Sequence, residues 1–162
     1  MGTFRFPDIH RVQYGRDVTV EVDISMQRFT NQFNRAQFAL DSAVMTGMIP
    51  YMPMVTGTFI NNTKARSASI AGSGYVYAAA PPYGRFLYEG KTMVGESTGS
   101  TWARHGEKKV LVSQYAGRTA AQEQLTYNKT AHHLATDHWF EAAKMRYGRN
   151  WVKLAKEVAG GG

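Results

Sequence analysis

The stretch from Ser25 to Pro50, SMQRFTNQFNRAQFALDSAVMTGMIP, decides the fold of this chain. Apolar residues recur in it at steps of three and four, which places them on one face of an α-helix. Ser25 is a residue type that favours a helix start, and Gly47 and Pro50 favour its end. The stretch therefore predicts a helix of about 22 residues that forms the spine of the fold. The apolar face consists of Phe29, Phe33, Ala36, Leu40 and Val44.

A second helical pattern lies near the end of the chain. It begins after Asp137, a favoured capping residue type, and it continues in phase across Gly148. An interior glycine costs about 1 kcal/mol of helix stability relative to alanine, but the unbroken phase predicts one helix. The apolar stripe consists of Phe140, Ala143, Tyr147, Trp151, Leu154 and Val158.

Other segments predict short strands. Apolar and polar residues alternate from Asp17 to Ile24, which indicates a half-buried strand with one polar face. Residues 68–80 predict β structure rich in small residues, and Val110–Val112 and Leu125–Tyr127 predict two more strands. Because no βαβ alternation occurs, we expect an α+β domain. In it, a long N-terminal helix and a C-terminal helix pack on a small antiparallel sheet of about four strands.

The length of 162 residues fits one domain with extensions. Residues 1–16 mix Pro, Gly and charged residues without a period, so we expect an extended arm. Residues 17–158 are expected to form the single α+β domain, and residues 159–162 a flexible tail. Residues 89–109 contain four glycines, and they predict a long loop or a mobile hairpin that makes contacts.

Composition narrows the possible functions. The chain has no cysteine, which excludes disulfides and thiolate zinc sites. No apolar run approaches the roughly 18 residues of a membrane span, so we expect no membrane association. The formal net charge is +7, and residues 25–162 carry sixteen basic and eight acidic residues. Such a body attracts nucleic acid or an acidic protein, although a basic surface that only keeps the protein soluble fits equally well.

Motifs for catalysis are absent from the sequence. It has no Gly-x-Ser-x-Gly element and no phosphate-binding Gly-x-x-x-x-Gly-Lys-Ser/Thr loop. His132, His133 and His138 lie close together beside Asp137, but their spacing indicates a polar entry to the last helix rather than a metal site. We therefore predict no catalytic, cofactor-binding or metal-binding residues, and no enzymatic activity.

Basic residues are better candidates for a functional surface. Three of them follow i, i+4, i+7 spacing on the last helix, opposite its apolar stripe, and three lie in the long loop. Either set is a solvated face or a surface that faces DNA or an acidic partner. No pattern for sequence-specific reading occurs. These candidates are Arg149, Lys153 and Lys156 on the helix, and Arg104, Lys108 and Lys109 in the loop.

Aromatic residues beside glycine or proline form a second set of candidates. Tyrosine suits interfaces because its ring buries area while its hydroxyl stays hydrogen-bonded. The same rings are equally suited to filling the core of a small domain. The candidate interface consists of Tyr51, Tyr83, Arg85, Phe86, Tyr88 and Lys91.

Four short elements in fixed order carry a family resemblance. They are PMVTGTF (Pro53–Phe59), YGRFLYEGK (Tyr83–Lys91), Leu125–Tyr127 and WFEAAK (Trp139–Lys144). With the two helices, they span roughly residues 25–158. In this order the chain resembles the minor capsid or tail-completion proteins of long-tailed bacteriophages.

The resemblance implies a structural protein of the virion neck, made in the host cytoplasm. Such proteins form rings of six or twelve copies between the portal, adaptor and stopper stack of the head and the tail. The implied partners are other copies of the chain and other neck and tail proteins, with genomic DNA held non-specifically in the lumen. A basic, non-specific DNA-binding protein is the alternative.

Overall fold

A computed structural model describes residues 4–82, 84–102, 104–115 and 124–160. Two long helices form its centre, α1 at Gln27–Met48 and α4 at Trp139–Val158, and they pack together. They run in opposite directions, because the start of α1 lies beside Gly160 and its end lies against Trp151. The predicted α+β class, with a long early helix and a long final helix, is confirmed.

The apolar stripe of α1 is buried only towards its C-terminal end. Ala36 and Met45 are buried, whereas Phe29 is 53% exposed and Phe33 is 41% exposed. After Met48 the chain enters a short 3₁₀ turn, Ile49–Tyr51, which includes the proline expected to end the helix. The helix therefore has one end in the core and one end largely in solvent.

The stripe predicted for α4 is continuous across Gly148, and its central residues Ala143 and Trp151 are buried. Asp137 was expected to cap this helix, but the residue that directly precedes the helix is His138. His138 has a left-handed φ of 42°, and its side chain makes no capping hydrogen bond. Trp139 then enters the core fully buried. The indole Nε1–H donates to the carbonyl of Ala78 at 2.8 Å, which satisfies its only polar group.

The core lies where α1 and α4 meet the middle of the chain. Trp139 packs edge-on against Phe59 and Tyr88, with ring centroids 5.8 and 4.8 Å apart. Unbranched methionines fill the irregular space around these rings. The buried cluster consists of Met45, Met48, Met52, Ile60, Trp139, Ala143 and Trp151.

A further helix, α2 at Thr58–Ser69, follows Gly57, which has a φ of 79°. The β structure expected for residues 68–80 is wrong, because the segment after α2 forms turns. The Thr63 hydroxyl accepts the N–H of Ala80 at 3.1 Å. Ser67 Oγ accepts the N–H of Tyr77 at 3.1 Å and donates to its carbonyl at 3.2 Å. Hydroxyl groups of α2 thus bind backbone groups that a neighbouring strand would otherwise bind.

Asp41 of α1 fixes the turn that follows α2. Its buried carboxylate accepts the N–H groups of Gly72 and Gly74 at 2.8 and 3.1 Å. Both glycines have positive φ, at 89° and 82°. Gln37 Nε2 donates to the other carboxylate oxygen at 2.7 Å. A buried acidic group is thereby satisfied by neighbouring N–H groups.

The segment from Gly84 onwards forms a short helix and a hairpin. The helix is α3, at Gly84–Glu89. Strand β3 (Met93–Gly95) then pairs antiparallel with β4 (Lys109–Leu111), so of the two predicted alternatives, a long loop and a hairpin, the structure has the hairpin. The strand expected at Leu125–Tyr127 is absent; there, the Leu125 N–H donates to the carbonyl of Gly90 at 2.9 Å.

The N-terminal region forms a second hairpin, of strands β1 (Ile9–Tyr14) and β2 (Thr19–Ile24). The arm predicted for residues 1–16 is therefore wrong from Ile9 onwards, because these residues pair with β2. The expected half-burial of β2 is also wrong, since all six of its residues are exposed. Within the described residues there are two separate two-stranded sheets, and the predicted sheet of about four strands does not form.

Candidate functional site

The β1–β2 hairpin has one apolar face. In its register, Ile9 lies opposite Ile24, Arg11 opposite Val22, and Gln13 opposite Val20. Opposite residues, and residues two apart on a strand, point to the same side. All four apolar side chains are exposed by 43 to 51%. We call Ile9, Val20, Val22 and Ile24 the apolar hairpin face.

The hairpin is held to α1 at its base. The Asp8 carboxylate accepts the N–H of Met26 at 2.6 Å, and the N–H of Phe6 donates to Thr30 Oγ1 at 3.1 Å. Phe6 also packs edge-on against Phe33, with ring centroids 5.8 Å apart. Neither strand makes extensive contact with a helix in the described parts of the chain. A two-stranded hairpin is at best marginally stable alone, so this one is suited to pairing with a partner.

The opposite face of the hairpin is mixed: it carries Val12 and Tyr14 together with the charged residues. His10 Nδ1 lies 2.5 Å from Asp23 Oδ1, and His10 Nε2 lies 3.8 Å from Glu21 Oε1. These three exposed residues are the one group of potential metal ligands that the described residues bring within 4.8 Å of one another. The imidazole already lies between two carboxylates, an arrangement that joins the strands without an ion.

A groove of about 340 Å³ runs between α1 and α4 on the solvent-exposed side of their contact. Most of its lining is apolar, and two polar side chains, Gln37 and Lys156, contribute to it. We call it the α1–α4 groove. Its apolar lining consists of Phe33, Ala36 and Leu40 from α1, and of Val152, Ala155 and Ala159 from α4.

The basic row predicted on the last helix borders this groove. Arg149, Lys153 and Lys156 are all exposed, and they share a face of α4 with Val152, because positions three, four and seven apart lie together. Lys153 Nζ lies 3.8 Å from Glu157 Oε1, so part of the charge of this row is balanced within the helix.

The three basic candidates of the loop lie on another element, the β3–β4 hairpin. Lys109 Nζ donates to the carbonyl of Thr101 at 2.8 Å, which gives this residue a structural role. Lys108 Nζ lies 3.5 Å from Glu96 Oε1, and Arg104 is exposed. Sequence spacing could not distinguish the structural lysine from the exposed basic residues, because the distinction depends on which groups the pairing of β3 with β4 brings together.

Glu107 organises the same hairpin, a role that no sequence pattern predicted. One oxygen accepts the backbone N–H and the hydroxyl of both Ser97 and Thr98, at 2.6 to 3.2 Å. The other accepts the N–H of Arg104 at 2.8 Å. These hydrogen bonds, that from Ser97 most of all, lower the pKa of Glu107 from 4.5 to about 2. The carboxylate therefore joins both sides of the loop.

The aromatic candidates lie mainly against the core. The Tyr88 hydroxyl donates to Glu141 Oε2 at 2.5 Å, and burial, more than this bond, raises the pKa of Tyr88. Tyr51 packs against the buried cluster. Phe86 and Lys91 are half-buried. Two residues complete the set: Arg85 is exposed and pairs with Glu89 at 2.9 Å, and Tyr83 lies outside the described residues.

The histidines near α4 have separate partners. His132 Nδ1 lies 2.8 Å from the carbonyl of Met52, and the ring of His138 lies 5.3 Å from that of Tyr88. His132 thereby links the start of the last segment to the 3₁₀ turn after α1. Both contacts are explained by packing.

Comparison with protein-family models, with curated proteins and with solved structures finds no match for this chain. What its exposed surfaces do must therefore be inferred from their own residues. None of the helices in the described ranges has both the length and the apolar character needed to cross a membrane.

Proposed function

We propose that this protein is a structural component of the tailed-phage neck, where its copies form a ring that joins the DNA-filled head to the tail. The apolar hairpin face is the observation that carries the proposal. Contiguous exposed apolar surface usually marks an interaction site, and here it lies on a projecting element of secondary structure. An assembly protein needs such a surface, whereas an isolated domain gains nothing from it.

Two further observations support an assembly role. Two large apolar side chains of α1 are also exposed, Phe29 by 53% and Phe38 by 56%. Two of the four sequence elements that resemble the neck family coincide with helices of this fold. WFEAAK forms the start of α4, and YGRFLYEGK contains α3. The proposed partners are other copies of the chain and the neighbouring neck and tail proteins.

Electron cryo-microscopy of purified particles of the phage that encodes this chain tests the proposal. We expect a ring of six or twelve copies at the head–tail junction, with the β1–β2 hairpin against a neighbouring protein. Density for the chain elsewhere in the particle, or its absence from the particle, would contradict a neck role.

Non-specific DNA binding is a second candidate, because the row of Arg149, Lys153 and Lys156 is exposed on a chain of net charge +7. Three phosphate contacts would give a slope of about −2.7 for log affinity against log salt. Replacing the row by glutamine is expected to remove most of that slope in a fluorescence-anisotropy titration with duplex DNA.

The matched control for this titration replaces Lys64, Arg66 and Lys129, which are also exposed and carry the same total charge. Equal losses in the two variants would indicate only an effect of net charge. Without salt-sensitive binding by the unaltered protein, the row does not bind DNA.

A further inference from the structure

We infer that the apolar hairpin face of one copy docks into the α1–α4 groove of the next copy. The inference rests on the ring proposed above and identifies the surfaces that would join its subunits. It concerns two regions that the rest of the fold leaves exposed: Val20 and Val22 on the hairpin, and Val152 on the groove, are 43 to 55% exposed. Covering both at once would remove exposed apolar side chains of two surfaces from water.

The two surfaces agree in length. From Val20 to Ile24, at about 3.4 Å per residue, the hairpin face extends about 14 Å. From Phe33 to Leu40, at about 1.5 Å per residue, the α1 wall of the groove extends about 10 Å. One edge of the hairpin face therefore covers the full length of the groove.

Charge distinguishes this arrangement from pairing of two hairpins. Residues 8–24 carry four acidic and two basic residues, a net charge of −2, whereas α4 carries five basic and two acidic residues, a net charge of +3. Glu21 and Asp23 lie on the face opposite the apolar one, so these net charges act while two surfaces approach and not within the contact. Two hairpins, each with a net charge of −2, repel each other on approach. A hairpin beside α4 of a neighbour brings together opposite net charges, which favours that encounter.

The proposed contact also has the symmetry that a ring needs. The hairpin and the groove are different surfaces of one chain, so the contact is heterologous, and each copy keeps one hairpin and one groove for its two neighbours. Such contacts repeat head to tail and close into a ring when the rotation permits.

Disulfide capture tests the contact directly, because the chain has no cysteine of its own. Copies carrying Val22→Cys are mixed with differently tagged copies carrying Val152→Cys and oxidised at high protein concentration. Both positions are exposed, so we expect both variants to fold. We expect at least ten times more mixed disulfide dimer than in a control mixture of Val22→Cys with Val55→Cys. Val55 is 82% exposed and follows the opposite end of α1.

Adding Val20→Lys to the Val22→Cys chain is expected to abolish the mixed dimer, since it replaces an apolar contact by a second charge on a face that already carries Arg11. A yield no higher than the control, or a product dominated by Val22→Cys pairs, would overturn the inference. The capture result and the particle structure fail separately. If the chain forms a ring at the neck but this disulfide does not form, the proposed function stands and the proposed contact is wrong. If the disulfide forms but the chain is not at the neck, the contact stands and the proposed function is wrong.

Discussion

At the scale of single residues, Gly47 sets how closely the two long helices approach. A Cβ atom at this position would lie 2.7 Å from Cζ2 of the buried Trp151 ring, which has little freedom to move. Alanine normally stabilises a helix by about 1 kcal/mol relative to glycine, but overpacking a core costs about 1–3 kcal/mol. We therefore expect Gly47→Ala to lower the free energy of unfolding by up to about 2 kcal/mol in urea titrations.

Gly148 provides the matched control on the partner helix. A Cβ atom there would meet only Cγ of Lys144 at 3.6 Å, an ordinary contact. Gly148→Ala is therefore expected to raise the free energy of unfolding by up to about 1 kcal/mol. If both substitutions stabilise the protein equally, the close approach at Gly47 is not a constraint on the fold.

At the scale of elements, the β3–β4 hairpin depends on an ionised Glu107. Its bound form is the carboxylate, and the pKa falls from 4.5 to about 2 in the folded chain. The contribution of Glu107 to stability is thus fully present above pH 4.5, and it is lost as the pH falls from 4.5 towards 2. An NMR titration is expected to place its pKa well below that of an ordinary glutamate. Protection of the Ser97 and Thr98 amides from hydrogen exchange should fall over the same range.

Glu107→Gln removes the titrating group, and we expect it to reduce the protection of those two amides at neutral pH and to abolish its dependence on pH. Glu96→Gln serves as the control, because Glu96 makes only a 3.5 Å contact with Lys108 on the exposed surface. A Glu107 pKa near 4.5, or equal effects of the two substitutions, would contradict this role.

The elements that the sequence predicted correctly are those defined by local periodicity. The helices α1 and α4 have long apolar stripes, and these were sufficient to place them. The helix α2 was missed because its buried face includes the polar residues Thr63 and Ser67, which form hydrogen bonds with residues 17 and 10 positions away. Strand β1 was missed because His10 and Arg11 interrupt its apolar alternation.

The candidate site was predictable only in part. Alternation in β2 indicated a strand correctly, but it also implied a buried face, since a pattern cannot show whether anything covers it. The structure leaves that face exposed. The groove was equally hidden, because it combines Phe33 and Leu40 of α1 with Val152 of α4, which no local pattern connects.

At the scale of the whole molecule, stability and exposure are separated along α1. Its C-terminal end contributes Met45 and Met48 to the core, whereas its N-terminal end presents Phe29 to solvent and supports the β1–β2 hairpin. Among the described residues, the hairpin is joined to the body at its base, where Asp8 binds the N–H of Met26. A division of this kind favours a body that folds alone and an extension that gains stability from a partner.

Removal of the hairpin tests this division. Asp8 and Ser25 flank the paired residues Ile9 and Ile24, so replacing residues 9–24 by two glycines keeps the base intact. We expect the melting temperature of the body to change by less than about 3 °C, because no buried side chain is lost. Self-association, measured by sedimentation velocity, should be lost. Val20→Ser with Val22→Ser keeps the hairpin but makes its face polar, and it should weaken association equally. A large drop in melting temperature after the deletion would show instead that the hairpin belongs to the folded body, and unchanged association would place the subunit contact elsewhere.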